Sequence, residues 1–255
     1  MANIEYQTNA IAEHFETNRV RWDQFYESER QVVQALGLTA NHTVLDIGCG
    51  CGGLGLALRE QFGVTRYTGV DINAPAVEIG NRLNPGALLH GDILDICTAQ
   101  LAGRQFDVVF SLSCVDWNVE FAAMLRTAWS LVKLGGNFVA TFRLTDGDGC
   151  SDMARCFQHI NYQGEREGEL AAYVVLNAGK LMADLLTFDP ASVHFYGYWG
   201  APSGSAVTPY SRLCFVACAL SKRNVVEDVN TLNVKLDLPE EIRKPMEHVV
   251  ATGAR

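Results

Sequence analysis

Short apolar runs alternate with segments of helical periodicity along most of the chain. The runs predict seven strands, over residues 43–47, 67–70, 87–90, 106–111, 137–142, 194–199 and 212–220. Such alternation is typical of a parallel sheet with helices on both faces. The long loop 200–209 suits a hairpin, which would make one of the last two strands antiparallel. We therefore predict an α/β, three-layer sandwich around a mostly parallel seven-stranded sheet with one antiparallel strand.

Three segments lie outside this alternation. Apolar residues recur at helical spacing before Gly37, which predicts a helix over 19–36 within an N-terminal helical cap, residues 1–37. Residues 145–176 are rich in glycine and acidic residues, contain a short helical stretch, and are expected to form an insertion that caps the substrate. In the C-terminal extension 221–255, apolar residues at helical spacing predict a helix over 238–250. We expect its apolar side to pack either on the body of the molecule or on a second subunit.

Composition limits the possible classes of protein. With 255 residues and 48% hydrophobic composition, the chain is expected to form a single domain over 1–255, and 43–220 would be its core. A net charge of −9 argues against a nucleic-acid partner, because phosphate backbones are bound through clustered Lys and Arg.

The spacing of the cysteines and the length of the apolar runs are typical of a protein in the reducing cytoplasm. The eight cysteines lack paired CxxC spacing, so we expect free thiols and no metal site. The longest apolar run, 213–220, is too short to cross a bilayer, and the N-terminus shows no leader pattern. We therefore expect a cytoplasmic protein without a membrane partner.

A glycine-rich turn follows the first predicted strand. In VLDIGCGCGGLGLAL, residues 44–58, glycines 48, 50 and 52 come directly after the strand and open a helix, where they would let a ligand approach the backbone. Glycines 48, 50 and 53 also fit the GxGxxG motif of nicotinamide and flavin enzymes. Asp71 follows them at the spacing of the acidic residue that binds ribose in both classes. The spacing alone therefore does not decide between two classes of cofactor-binding enzyme and a glycine-rich turn that binds no ligand.

Five segments, in order, resemble the class I S-adenosylmethionine-dependent methyltransferases. VLDIGCGCG resembles the first motif of that family and YTGVDIN the second. HGDILD is similar to the third, FDVVFSLSCVDWN to the fourth, and LVKLGGNFVATF to the helix end and fifth strand. The resemblance covers residues 43–143 and continues more weakly to about residue 220. It implies a Rossmann-like fold and S-adenosylmethionine as the cofactor.

The resemblance also implies roles for particular residues. Asp71 would take the ribose hydroxyls, Ile72 would lie against adenine, and Asp92 would meet the adenine amino group or serve only as a turn residue. Asp46 would repel the pyrophosphate of a dinucleotide and attract a sulfonium or ammonium group, or else cap the helix. The cofactor-binding residues expected are Asp46, Gly48, Cys49, Gly50, Gly52, Asp71, Ile72, Asn73, Asp92, Ile93, Ser111 and Trp117, with Trp22 and Tyr26 closing from the N-terminal cap or simply packing there.

Three residues are candidates for work on the methyl acceptor. Direct displacement at a sulfonium methyl needs alignment and exclusion of water rather than a metal. Asp116 stands where many relatives show His, as a base, an acceptor-binding carboxylate or a helix cap. Arg143 would hold an anionic group of the substrate or pair with Asp146 or Asp148. His194 is a base candidate without an acid neighbouring it in sequence.

The leading hypothesis is a methyltransferase that acts on the O or N nucleophile of a small polar molecule. Two alternatives stay open: an NAD(P)-dependent oxidoreductase, and a module that binds S-adenosylmethionine without catalysis. SLSCVDW after the fourth strand lacks the Pro-Pro-aromatic segment of enzymes that methylate base amino groups, which again disfavours a nucleic acid. A homodimer is compatible with the C-terminal helix.

Overall fold

The computed structural model describes residues 9–84, 86–97, 99–118, 120–161, 164–224 and 231–253. The strands in these ranges are β1 (Thr43–Ile47), β2 (Arg66–Asp71), β3 (Leu88–His90), β4 (Phe106–Ser111), β5 (Val132–Thr145), β6 (Phe157–Ile160), β7 (Glu169–Ala172), β8 (Leu176–Asn177), β9 (Pro190–Gly200), β10 (Ala206–Val207), β11 (Leu213–Lys222) and β12 (Asn233–Asp237). The helices are α1 (Ala10–Thr17), α2 (Glu27–Ala35), α3 (Gly53–Phe62), α4 (Ala74–Leu83), α5 (Ile93–Ile96), α6 (Phe121–Ser130), α7 (Ala178–Leu186) and α8 (Glu240–Thr252).

The main sheet has the strand order β3-β2-β1-β4-β5-β11-β9-β12, and β8 adds a short pairing to β5. β11 runs antiparallel to both of its neighbours, whereas the other pairings are parallel. The predicted, mostly parallel sheet with one antiparallel strand is thus confirmed, although the described residues form nine strands in it rather than the seven predicted. The C-terminal extension adds an edge strand, β12, that we did not predict.

Helices cover both faces of this sheet. One apolar cluster joins α5, α6, α7 and α8 to residues such as Leu45 and Phe138, and a second joins α2, α3 and α4 to Val44 and Phe110. Side chains of neighbouring strand residues point to opposite faces, so consecutive residues such as Val44 and Leu45 enter different clusters. This is the expected three-layer arrangement, and both clusters hold the strand ends rigidly in place.

The predicted helix over residues 19–36 is wrong in extent. A 3-10 turn over Trp22–Gln24 precedes α2, and Arg19 adopts a left-handed φ of 60°. The side chain of Gln24 accepts hydrogen bonds from the backbone N–H groups of Val20 and Arg21, at 2.8 and 3.0 Å, which closes the turn. A helix begins only after Tyr26, whose N–H donates to the Glu29 carboxylate. Local side-chain capping therefore overrides the helical spacing.

The insertion is built from strands. Its β6 and β7 pair antiparallel, and β10 from the loop between β9 and β11 completes a small three-stranded sheet. The helical stretch that we expected over 145–176 does not form in the described part of this segment.

The helix predicted over 238–250 is confirmed as α8, which lies against α7. Its Ile242 and Met246 are fully buried, so this apolar side packs on the body of the molecule. Within the described ranges, we find no helix that combines the length and apolar character needed to cross a bilayer.

Candidate functional site

The turn after β1 lies against the end of β2 and the turn after β4. The N–H groups of Gly48 and Cys49 donate to the carbonyl oxygen of Val70 at 2.8 and 3.1 Å. Gly48 has a φ of +73°, and a Cβ atom there would lie 2.4 Å from the Cys114 sulfur. A side chain at Gly48 would therefore need both a strained backbone and a displaced neighbour. The turn is consequently narrow and leaves its inner side open to a ligand.

Asp71 ends β2 beside this turn. Its carboxylate accepts hydrogen bonds from the N–H groups of Gly50 at 2.7 Å and of Asn73 at 2.8 Å. Burial raises the pKa of Asp71, while these two hydrogen bonds oppose the rise. Asn73 caps α4 through its side-chain oxygen, which accepts from the N–H of Ala76 at 3.0 Å. Its amide nitrogen is buried without a hydrogen-bond partner among the described residues and is a donor available to a ligand.

A cavity of about 470 Å³ opens over the carboxyl ends of β1, β2 and β4. This is where open α/β sheets bind their ligands. The cavity is bounded by the glycine turn, the N-terminal segment, the turn after β4 and the insertion. Its walls include Phe15, Arg19, Tyr26, Asp46, Gly50, Asp71, Asn73, Ser113, Trp117, Gln158 and Asn161.

A second pocket of about 120 Å³ adjoins the first. Gly48, Asp71, Ser113 and Trp117 line both, so the two are parts of one site. The smaller pocket is mainly apolar and fits a flat ring with a polar edge; its walls include Ile72, Asp92, Ile93, Cys114 and Met124. The carboxylate of Asp92 also caps α5, accepting from the N–H of Leu94 at 2.9 Å.

Asp46 lies at the base of the cavity with 4% of its surface exposed. Its carboxylate accepts a hydrogen bond from the Tyr67 hydroxyl at 2.6 Å. Burial raises the pKa of Asp46 to about 7, and the hydrogen bond from Tyr67 and the charge of Arg19 hold it from rising further. Arg19 is itself paired with the buried Glu29 at 2.8 Å. An ionised Asp46 therefore favours a positively charged ligand group.

Most residues predicted to bind the cofactor meet at this site. Eleven of the fourteen line one or both pockets: Asp46, Gly48, Cys49, Gly50, Asp71, Ile72, Asn73, Asp92, Ile93, Trp117 and Tyr26. Three do not line either pocket. Gly52 lies behind the turn against Leu88, Ser111 is buried, and Trp22 packs edge-on to Phe62 with ring centroids 5.2 Å apart.

The three residues predicted to act on the acceptor do not line either pocket. Arg143 pairs with Asp116 at 3.2 Å, rather than with Asp146 or Asp148, and both residues are 4% exposed. Burial raises the pKa of Asp116, and the charge of Arg143 opposes that rise. His194 lies on β9, where its ring is 3.4 Å from Asp237 of β12. The contact between His194 and Asp237 therefore lies at the β12 edge of the sheet.

Other wall residues were not expected from the sequence. α1 contributes His14 and Phe15, the following segment contributes Arg19, and β6 contributes Gln158 and Ile160. These segments show no motif of their own. Their position follows from tertiary contacts, such as the Cys51 thiol donating to the Ala12 carbonyl oxygen at 3.2 Å.

Comparisons with known proteins agree with this geometry. Residues 44–136 match the sequence profile of the family described as "Methyltransferase domain". Phosphoethanolamine N-methyltransferase 1 of Triticum aestivum is 26% identical over 63% of this chain and 33% of its own length. The ubiquinone biosynthesis O-methyltransferase of Pseudomonas paraeruginosa is 28% identical over 61% of this chain and 72% of its own length. The chain spans about a third of the first curated relatives that it matches.

Solved structures share the fold. The N-terminal domain of EvdMO1, solved with S-adenosylhomocysteine bound, superposes with a TM-score of 0.55 at 16% identity, covering 78% of this chain and 82% of that domain. A Haloferax volcanii methyltransferase, solved with the activator Trm112, also gives 0.55, at 14% identity over 87% of this chain and 100% of its own length.

The strand order, the glycine turn and the acidic end of β2 define a methyltransferase domain of the S-adenosylmethionine-dependent kind. The match over residues 44–136 and the strand order support a class I, Rossmann-like methyltransferase, as the motifs predicted. S-adenosylmethionine is the cofactor of this class, and the site fits it. The unpartnered Asn73 amide and the two joined pockets suit a ligand with a hydroxylated middle and a flat ring, whereas the buried carboxyl of Asp46 disfavours the pyrophosphate of a nicotinamide cofactor.

Proposed function

We propose that this protein transfers a methyl group from S-adenosylmethionine to the oxygen or nitrogen of a small polar molecule. The observation that carries the proposal is the extension of the larger cavity beyond the glycine turn, to Trp117 and to Gln158 and Asn161 of the insertion. The residues expected to bind the cofactor line one part of this cavity, and we assign the part lined by Gln158 and Asn161 to an acceptor. Relatives named for N- and for O-methylation support keeping both nucleophiles.

Several side chains have clear tasks in such a reaction. S-adenosylmethionine, when bound, supplies a methyl group on positively charged sulfur. The carboxylate of Asp71 would accept hydrogen bonds from ribose hydroxyls, and the amide of Asn73 would donate one. Ionised Asp46 would attract the positively charged end of the cofactor. Ile72 and Ile93 would provide the apolar surface for adenine.

The N-terminal segment would keep water away from the reacting groups. The main-chain oxygen of Arg19 packs so closely on α3 that a Cβ atom at Gly53 would lie 2.2 Å from it. Phe15, Phe25 and Trp117 add aromatic surface to the same cavity. Excluding water strengthens electrostatic interactions inside the site and prevents side reactions.

The proposal is tested by measuring release of S-adenosylhomocysteine with acceptor pairs that differ in the nucleophile. The pairs are ethanolamine with ethylene glycol, and 4-aminobenzoate with 4-hydroxybenzoate; phosphoethanolamine is added as a phosphorylated amine. We expect at least one acceptor to raise release tenfold or more above the acceptor-free rate. The variant Asp71→Ala should lose this activity, and Glu78→Ala, on the exposed side of α4, should keep it.

One outcome would contradict the proposal. Tight binding of S-adenosylhomocysteine without any acceptor-dependent release, across a panel widened to other small alcohols, amines and acids, would instead identify a binding module.

A further inference from the structure

Arg143 makes a dense set of contacts beneath the wall of the site. Its guanidinium pairs with the Asp116 carboxylate at 3.2 Å, and it donates to the main-chain oxygens of Asp116 at 3.1 Å and Val174 at 3.4 Å. The same group lies over the rings of Trp117, at 4.7 Å, and Tyr173, at 3.9 Å. One side chain thus joins the end of β5, the turn after β4 and the inner edge of the insertion.

Trp117 is the part of this cluster that faces the ligands. It lines both the 470 Å³ cavity and the 120 Å³ pocket. Its own turn is tied to the insertion a second time, since the N–H of Val174 donates to the Asp116 oxygen at 3.1 Å. Contacts with Arg143 and with the insertion therefore both fix the position of the indole.

We propose that Arg143 is a positioning residue, which acts through Asp116 and Tyr173 to hold Trp117 as the wall shared by the two pockets. The proposal rests on the proposed function, because it concerns residues that face the cofactor. It assigns Arg143 and Asp116 a role different from direct contact with the acceptor. A planar guanidinium meets all these partners at once, which the single ammonium of lysine does not.

Stability alone does not account for this buried ion pair. Buried pairs recover little of the cost of removing two charges from water, and apolar side chains of similar volume often serve as well. Asp116 even keeps one carboxylate oxygen buried without a hydrogen-bond partner among the described residues. What the pair does provide is a fixed geometry for Trp117, which follows Asp116 in the chain and whose ring lies 4.7 Å from the Arg143 guanidinium.

A double-mutant cycle tests the proposal with S-adenosylhomocysteine as the probe and calorimetric affinity as the readout. Arg143→Lys should weaken binding about fivefold and Trp117→Ala about tenfold. If Arg143 acts through Trp117, the double variant should bind within twofold of Trp117→Ala alone. Arg212→Lys is the matched control. The Arg212 guanidinium lies 4.2 Å from the centre of the Trp199 ring, and neither residue lines either pocket, so this variant should bind the probe like the wild type.

Two results would overturn the inference: Arg143→Lys binding within twofold of the wild type, or a double variant weakened by the product of the two single effects. Should Arg143→Lys fail to fold, Asp116→Asn replaces it in the same cycle, with the same criterion. Hydrogen exchange at the Val174 N–H reports whether the insertion has loosened. Failure of the proposed function is a separate result, because it is read from acceptor-dependent release by the wild type, whereas the cycle measures only binding of the probe.

Discussion

Asp46 should make the ligand-free protein less stable as pH rises. Its pKa is raised from an ordinary 3.8 to about 7, so between about pH 4 and 7 the folded protein holds a proton that the unfolded chain has lost. Stability therefore falls across this range and levels off above about pH 8. At about 1.4 kcal/mol for each pKa unit, the full penalty is roughly 4 kcal/mol.

Asp46→Asn should remove this penalty. The asparagine side-chain oxygen can still accept the hydrogen bond from Tyr67, which is 2.6 Å long in the wild type. We expect the free energy of unfolding of the variant to exceed that of the wild type at pH 8.5 by up to roughly 4 kcal/mol, and the difference to shrink towards pH 5. Urea denaturation of both proteins without cofactor, at several pH values, measures the difference.

The comparison isolates one carboxyl, because Asp71 and Asp116, whose pKa values are also raised, are present in both proteins. A difference between variant and wild type that does not change from pH 5 to 8.5 would show that Asp46 does not cause this pH dependence. The same variant should bind S-adenosylmethionine more weakly than the wild type at pH 8.5, because it lacks the negative charge.

Three further predictions concern the site and its support. Gly53→Ala should weaken S-adenosylhomocysteine binding, because its Cβ would lie 2.2 Å from the Arg19 carbonyl oxygen. Gly147→Ala should not, because its Cβ would meet the Thr145 hydroxyl at an ordinary 3.8 Å; equal affinities of the two variants in calorimetry would contradict this. Asn73→Ser keeps a side chain that caps α4 but loses the side-chain amide that has no partner in the described part of the chain. The affinity for S-adenosylhomocysteine should therefore fall about fivefold while the melting temperature stays similar. An unchanged affinity would exclude this amide as a donor to the ligand. Met246→Ala should cost about 2–5 kcal/mol in urea denaturation with unchanged affinity, and a loss of affinity would show that α8 supports the site.

The core of the site could be predicted because its signals are local. The glycine turn and the acidic residue at the end of β2 follow each other within thirty residues, and apolar runs mark the strands that hold them. Turn conformation and strand ends depend on neighbouring residues, which the sequence displays directly. The positions of Gly48, Asp71 and Asp92 follow from that order.

The rest depends on contacts between distant segments. Arg143 looked like a group that reaches the cleft, but its partner, Asp116, lies 27 residues earlier and meets it only in the folded sheet. The strand β12 alternates in exposure at the edge of the sheet, and its charged residues gave no apolar run to detect. In the N-terminal segment the side chain of Gln24 closes a turn that periodicity alone does not predict.

The assignment of this site to S-adenosylmethionine is tested by a calorimetric titration of the purified protein with S-adenosylhomocysteine and, separately, with NADH, repeated on Asp71→Ala. We predict that S-adenosylhomocysteine binds, that NADH does not, and that the substitution weakens the binding, because Asp71 lines both pockets. Binding of NADH alone would contradict the assignment of this site to S-adenosylmethionine.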